Sequence, residues 1–139
     1  MNSQKIYPKK KTQIISIFTK NLYDKSPKSK YFSEIIITKD LSSRNELIID
    51  KSDVFIALPG GVGTLNEILE VINRNLLNEI DKKIYLINDN SFWSPLEELF
   101  KSLGEKKLVD QKKLQRNFKV CKLEELKSEF KKSYAKNRS

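Results

Sequence analysis

Apolar residues fall along this chain in two rhythms. Compact runs of four or five, rich in β-branched and aromatic residues, occupy positions 14–18, 34–38, 54–58, 84–87 and 118–121. Such runs predict strands. Between most of them, apolar residues return every three or four positions, which predicts helices with one apolar stripe. The stripe is clearest after residue 64, where Leu65, Ile68, Leu69, Ile72 and Leu76 share one side. A shorter helix is expected from Ser42 or Ser43 to Lys51, with Ser43 and Glu46 at capping-box spacing and Leu41, Leu47 and Ile48 as its apolar side. A third should begin with Ser94 as N-cap, Pro95 as its first residue and Glu97 and Glu98 in its first turn, and end at Gly104. A last, strongly charged helix spans 123–134. Residues 20–30, with Pro27 and several serine and aspartate turn formers, read as a polar connection.

Strands alternating with helices point to a Rossmann-like, doubly wound α/β fold with a mostly parallel sheet. The run 54–58 is apolar throughout, which suits a strand buried on both faces of such a sheet. One domain across 1–139 is expected, with 1–12 and 135–139 flexible.

The chemistry concentrates just after the third strand. Residues 59–67 read Pro-Gly-Gly-Val-Gly-Thr-Leu-Asn-Glu and hold three of the four glycines of the chain. Glycine at 60, 61 and 63 leaves room for a ligand to approach the backbone. The amides from Gly61 through Val62 and Gly63 to Thr64 would face an anion at the positive end of a helix dipole. The spacing fits neither the Walker A loop nor the dinucleotide fingerprint. Thr64 and Glu67 also have the spacing of a plain capping box, so a helix cap and a ligand site both remain open. Arg44 lies at the start of the preceding helix, where it could grip a phosphate or hold Glu67 ionised, or simply be a solvated surface residue. Phe92 and Trp93 read as packing residues, and Cys121 as a small core residue.

Composition narrows the choices. The chain has no histidine and one cysteine, which removes histidine-dependent nucleophile pairs, internal disulfides and the usual zinc site. Acid–base work would fall to carboxylates, lysines or tyrosines. The net charge of +9 is unevenly spread: about +6 over 1–40, −5 over 41–100 and +8 over 101–139. The glycine motif therefore sits in the acidic part, and lysine far outnumbers arginine, which argues against nucleic acid as the partner. No apolar run approaches the roughly 20 residues of a membrane span, and the basic start has no leader-like apolar stretch. A cytoplasmic protein without membrane association is the expectation.

The complete PGGxGTxxE pattern, with Arg44 fifteen positions before Pro59, resembles the Lonely Guy family of cytokinin riboside 5′-monophosphate phosphoribohydrolases, long labelled lysine decarboxylase-like. The likeness covers about 13–109. It implies a Rossmann-like protein, usually a homodimer, that hydrolyses the N-glycosidic bond of a nucleoside 5′-monophosphate to free base and ribose 5-phosphate. On this chain it implies that Gly60, Gly61, Val62, Gly63 and Thr64 hold the 5′-phosphate. Glu67 would then activate water and stabilise the sugar cation, and Arg44 would orient Glu67 and the substrate. It implies neither metal nor cofactor. The sequence shows no site for the pyridoxal cofactor of most lysine decarboxylases. Asn45 stands where family members carry lysine, and no glycine precedes Gly60, so an earlier glycine-rich strand–helix–strand region of the family is expected to be missing from the middle of the sheet. The alternatives are a catalytically impaired nucleotide- or phosphate-binding protein or a truncated family remnant, and nucleic-acid binding through the lysine-rich ends.

Overall fold

The computed structural model describes residues 12–137. They form two compact units that divide between Lys51 and Ser52. Each is α/β, and every strand pairing described is parallel.

The first unit contains β1 (Ile15–Thr19), α1 (Lys20–Lys25), β2 (Glu34–Thr38) and α2 (Leu41–Lys51). β1 and β2 pair in register from Ile15 with Glu34 to Thr19 with Thr38. The polar connection expected at 20–30 therefore begins with a helix. Its start is set by Thr19, whose hydroxyl accepts from the Leu22 amide at 3.4 Å. α2 starts earlier than its capping-box spacing suggested. Asp40 takes the cap instead, accepting the Ser43 amide at 2.8 Å, and these hydrogen bonds hold its carboxyl below the usual range. Asn45 and Ile49 are the buried side chains of α2. Ile35 and Ile37 of β2 remain exposed.

The second unit contains β3 (Val54–Ala57), α3 (Val62–Leu76), β4 (Lys83–Ile87), a single 3₁₀ turn (Asp89–Ser91), α4 (Ser94–Glu105), α5 (Gln111–Asn117), β5 (Phe118–Cys121) and α6 (Leu123–Lys136). The sheet order is β3-β4-β5. The central position belongs to β4, and Ile84, Tyr85, Leu86 and Ile87 are all buried, Leu86 completely. β3 lies at the sheet edge and alternates, with Val54 and Ile56 exposed. The expectation that 54–58 is buried on both faces is thus corrected: that pattern belongs to the central strand, and an edge strand covers only one side. α3 packs through Ile68, Val71 and Ile72, while Leu69 of the expected stripe is exposed.

Helix ends follow a common logic. α3 is closed by Asn78 in the left-handed region, with the Glu79 amide donating to the Arg74 carbonyl at 2.9 Å. α4 continues through Gly104 to Glu105, and Lys107 makes the left-handed turn while the Leu108 amide reaches the Leu103 carbonyl at 2.8 Å. Gly104 does not end the helix. A β-carbon there would meet the far end of the Gln111 side chain, which would have to turn aside. α5 is itself an unexpected helix, capped by Asp110 through the Lys113 amide at 3.1 Å. Asn75 ties three elements together. Its amide oxygen accepts from the Lys82 amide at 2.9 Å and from Asn117 at 3.1 Å, and its nitrogen donates to the Lys82 carbonyl at 2.9 Å.

Between β4, β5 and α6, Tyr85 stacks edge-on against Phe130 at 5.9 Å. Lys119 is paired with Glu129. That pairing holds the Glu129 carboxyl below its usual range and the Lys119 ammonium above its own. Burial, followed by the Glu129 contact, pushes the Tyr85 phenol up. Much of the expected flexible start lies outside the described residues. At the other end α6 runs to Lys136.

Candidate functional site

The glycine turn joins the carboxyl end of β3 to the amino end of α3. Gly61 is the N-cap, with no side-chain cap, and the Leu65 amide makes the first helical bond to the Gly61 carbonyl at 3.1 Å. The amides of Gly61, Val62, Gly63 and Thr64 all precede that bond, which is the set that an anion at a helix start would use. Gly61, Val62 and Gly63 are exposed, and Thr64 is half-buried. With Val62 as the first helical residue, Glu67 is the sixth. The capping-box alternative is therefore corrected: the helix starts two residues before Thr64, and Glu67 lies in the second turn.

The three glycines have different reasons to be glycine. A β-carbon at Gly60 would overlap the Thr64 side chain, so that position is fixed by packing. A β-carbon at Gly61 or Gly63 would meet nothing within 4 Å. No described glycine has a positive φ. Among the described residues, neither a steric contact nor a positive φ explains Gly61 and Gly63. Glu67 is half-buried and stands one helical turn beyond Gly63 and Thr64. Long helical side chains lean toward the amino end, so its carboxylate belongs over that first turn.

Arg44 lies in the first unit, the glycine turn and Glu67 in the second. Arg44 is half-buried in α2, and its Nε donates to the Ile17 carbonyl of β1 at 2.8 Å. This bond fixes the base of the guanidinium on its own sheet.

A hollow of about 820 Å³ opens beyond the carboxyl ends of β3, β4 and β5. Leu58 and Pro59 line it from β3, Ile87 to Ser91 from β4, and Lys122 and Leu123 from β5. Ligand crevices of open parallel sheets lie at this end. The loop after β4 is held by Asn88, which accepts the Trp93 amide at 2.8 Å and donates to the Ser94 hydroxyl at 3.1 Å. Ser94 is thus a partner of Asn88, and Trp93 rather than Ser94 occupies the N-cap of α4. Sequence reasoning did not single out Asp89, Asn90, Ser91 or Lys122. The available signal was the run of polar turn formers directly after a buried strand.

Phe92 and Trp93 meet edge-to-face at 4.7 Å, with Trp93 buried. Cys121 is buried, and burial pushes its thiol up, which disfavours the nucleophilic thiolate. Among the described residues no group of acids, cysteines or histidines is placed to hold a metal ion. No helix among them is long and apolar enough to cross a membrane.

Residues 1–129 match the family model described as "possible lysine decarboxylase". The chain belongs to this Lonely Guy, lysine-decarboxylase-like family. It is 37% identical over 83 residues to a cytokinin riboside 5′-monophosphate phosphoribohydrolase of Arabidopsis thaliana, covering 60% of this chain and 36% of that protein. It is 41% identical over 64 residues to the protein of the same name from Rhodococcoides fascians, covering 46% of this chain and 32% of that one. The chain spans about a third of the length of these Lonely Guy relatives.

Proposed function

We propose that the chain hydrolyses the N-glycosidic bond of a nucleoside 5′-monophosphate, of the AMP or cytokinin riboside monophosphate type, to free base and ribose 5-phosphate. The observation that carries this reading is the pair Gly61 and Gly63. Their α-carbons face open space beside the first amides of a 15-residue helix, with no steric contact among the described residues that requires glycine. In this reading the 5′-phosphate occupies that space, bound by the amides of Gly61, Val62, Gly63 and Thr64 and by the Thr64 hydroxyl. Gly60 allows Thr64 to fold back against the turn.

Glu67 is the catalytic carboxylate of the proposal. Water adds to C1′ of the ribose, the bond to the base nitrogen breaks, and the base leaves with that electron pair. Glu67 takes a proton from the water and stabilises the positive charge that develops on the sugar. Arg44, which the family pattern carries ahead of this motif, is proposed as a catalytic residue alongside Glu67. The names of the relatives support the reaction class, and a homodimeric, cytoplasmic enzyme is proposed with it.

The test incubates the full chain with AMP and follows adenine release by chromatography. Adenine should appear with the wild type and fall by about 10²-fold or more with Glu67→Gln. Release that survives this substitution would remove Glu67 from the mechanism. Saturable AMP binding without adenine would instead identify a nucleotide-binding protein without catalysis.

A further inference from the structure

We infer that the hollow at the carboxyl ends of β3, β4 and β5 is the base subsite, and that Asp89 selects a 6-aminopurine over a 6-oxopurine. The inference rests on the phosphate turn proposed above. Leu58 and Pro59 line this hollow and lead directly into that turn. A nucleotide anchored by its phosphate on the amides of α3 must place its other end nearby, and the strand ends offer the opening.

The lining suits a planar heterocycle. Leu58 and Leu123 are 63% and 47% exposed and give the floor apolar surface. A purine ring laid against them would remove that surface from water. The rim is polar. Asp89, Asn90, Ser91 and Lys122 are exposed, and among the described residues their side chains serve none of the hydrogen bonds that hold the loop, which are made by Asn88 and by backbone. The loop is also held in an uncommon shape, with Asn90 and Ser91 both at positive φ, 48° and 59°. Consecutive left-handed residues without glycine are a strained backbone arrangement. The Asn88 bonds to Trp93 and Ser94 hold that shape, and it presents Asp89 at the rim.

The donor pattern gives the specificity. A carboxylate only accepts hydrogen bonds, so Asp89 complements the exocyclic amino group of a 6-aminopurine and repels the carbonyl of a 6-oxopurine. The Lys122 ammonium only donates and complements a ring nitrogen of the same base. Asp89 acts here on binding and not on the bond that breaks, so its replacement should change discrimination between bases and leave the sugar-phosphate end alone.

The experiment titrates AMP, IMP and ribose 5-phosphate into the full chain by calorimetry, in the Glu67→Gln background so that no ligand is consumed. AMP should bind at least about tenfold more tightly than IMP. Adding Asp89→Asn should bring the two affinities within about threefold of each other, because an amide can donate to the 6-oxo group as well as accept, while ribose 5-phosphate affinity stays unchanged. If ribose 5-phosphate binds but AMP and IMP bind equally, or their ratio survives Asp89→Asn, the base subsite is wrong and the phosphate turn stands. If none of the three ligands binds, the phosphate turn falls and the base subsite with it.

Discussion

Replacing Gly63 by alanine should separate stability from ligand binding, and the two effects should have opposite signs. Gly63 is the second residue of α3, and its φ is not positive. A β-carbon there meets no heavy atom within 4 Å among the described residues, so none of them resists it. Alanine restricts the unfolded backbone more than glycine and is the better helix former, by about 0.5–1 kcal/mol. For a chain of this size that corresponds to a rise of roughly 2–5 °C in Tm. The same methyl group would stand in the space assigned to the phosphate. Ribose 5-phosphate affinity should fall at least about tenfold, a change of about 1.4 kcal/mol. Thermal unfolding followed by circular dichroism measures the first quantity, and calorimetric titration the second. A variant that gains stability and binds like the wild type would refute the assignment of that space to a ligand. A variant that loses stability would refute the steric reading itself.

Gly60→Ala should behave in the opposite way, losing about 1–3 kcal/mol in urea unfolding because the new β-carbon collides with the Thr64 side chain. Leu86→Ala, at a fully buried site on the central strand, should cost about 2–5 kcal/mol by the same measurement. The Lys119–Glu129 pair should stabilise the fold across a wide pH window. Glu129 has a lowered folded-state pKa, so its contribution is present above the unfolded glutamate value of about 4.3 and disappears as pH falls through the folded value. Lys119 has a raised one, so its contribution is full below about 10.4 and is lost as pH rises through the folded value. The side chains are 48% and 38% exposed, so solvent screens the pair and the gain is small, and stability curves of Glu129→Gln and wild type should converge at acid pH.

Strand positions were legible because their signal is local: 34–38 and 118–121 coincide with β2 and β5. Helix starts were read too late for one repeated reason. Ser43, Thr64 and Ser94 have cap chemistry, yet Asp40, Gly61 and Trp93 precede the actual first turns. A hydroxyl side chain inside the first turn looks like a cap when only spacing is available. α1 and α5 escaped for another reason: each is a short polar helix, and α5 buries only Leu114, so no periodicity can build up. The burial of β3 was misjudged because composition cannot tell a central strand from an edge strand. The junction of β3, glycine turn and α3 was the most legible part of the chain, since it is continuous in sequence. The rim of the hollow is not, because Asp89 and Lys122 meet only through sheet order.

The bonds around Asn75 have a consequence for how the second unit opens. One carboxamide joins the last turn of α3, the entry to β4 and the end of α5. None of these segments can detach without breaking bonds shared with the others. The Lys82 amide, which donates to that side chain, should therefore exchange with solvent deuterium only when the whole unit unfolds. The glycine turn lies at the other end of α3, where the N-cap Gly61 makes no side-chain cap bond among the described residues, and its amides should exchange many orders of magnitude faster. A single helix would thus run from a guarded end to a freely exchanging one, and hydrogen exchange along α3 would trace that gradient residue by residue.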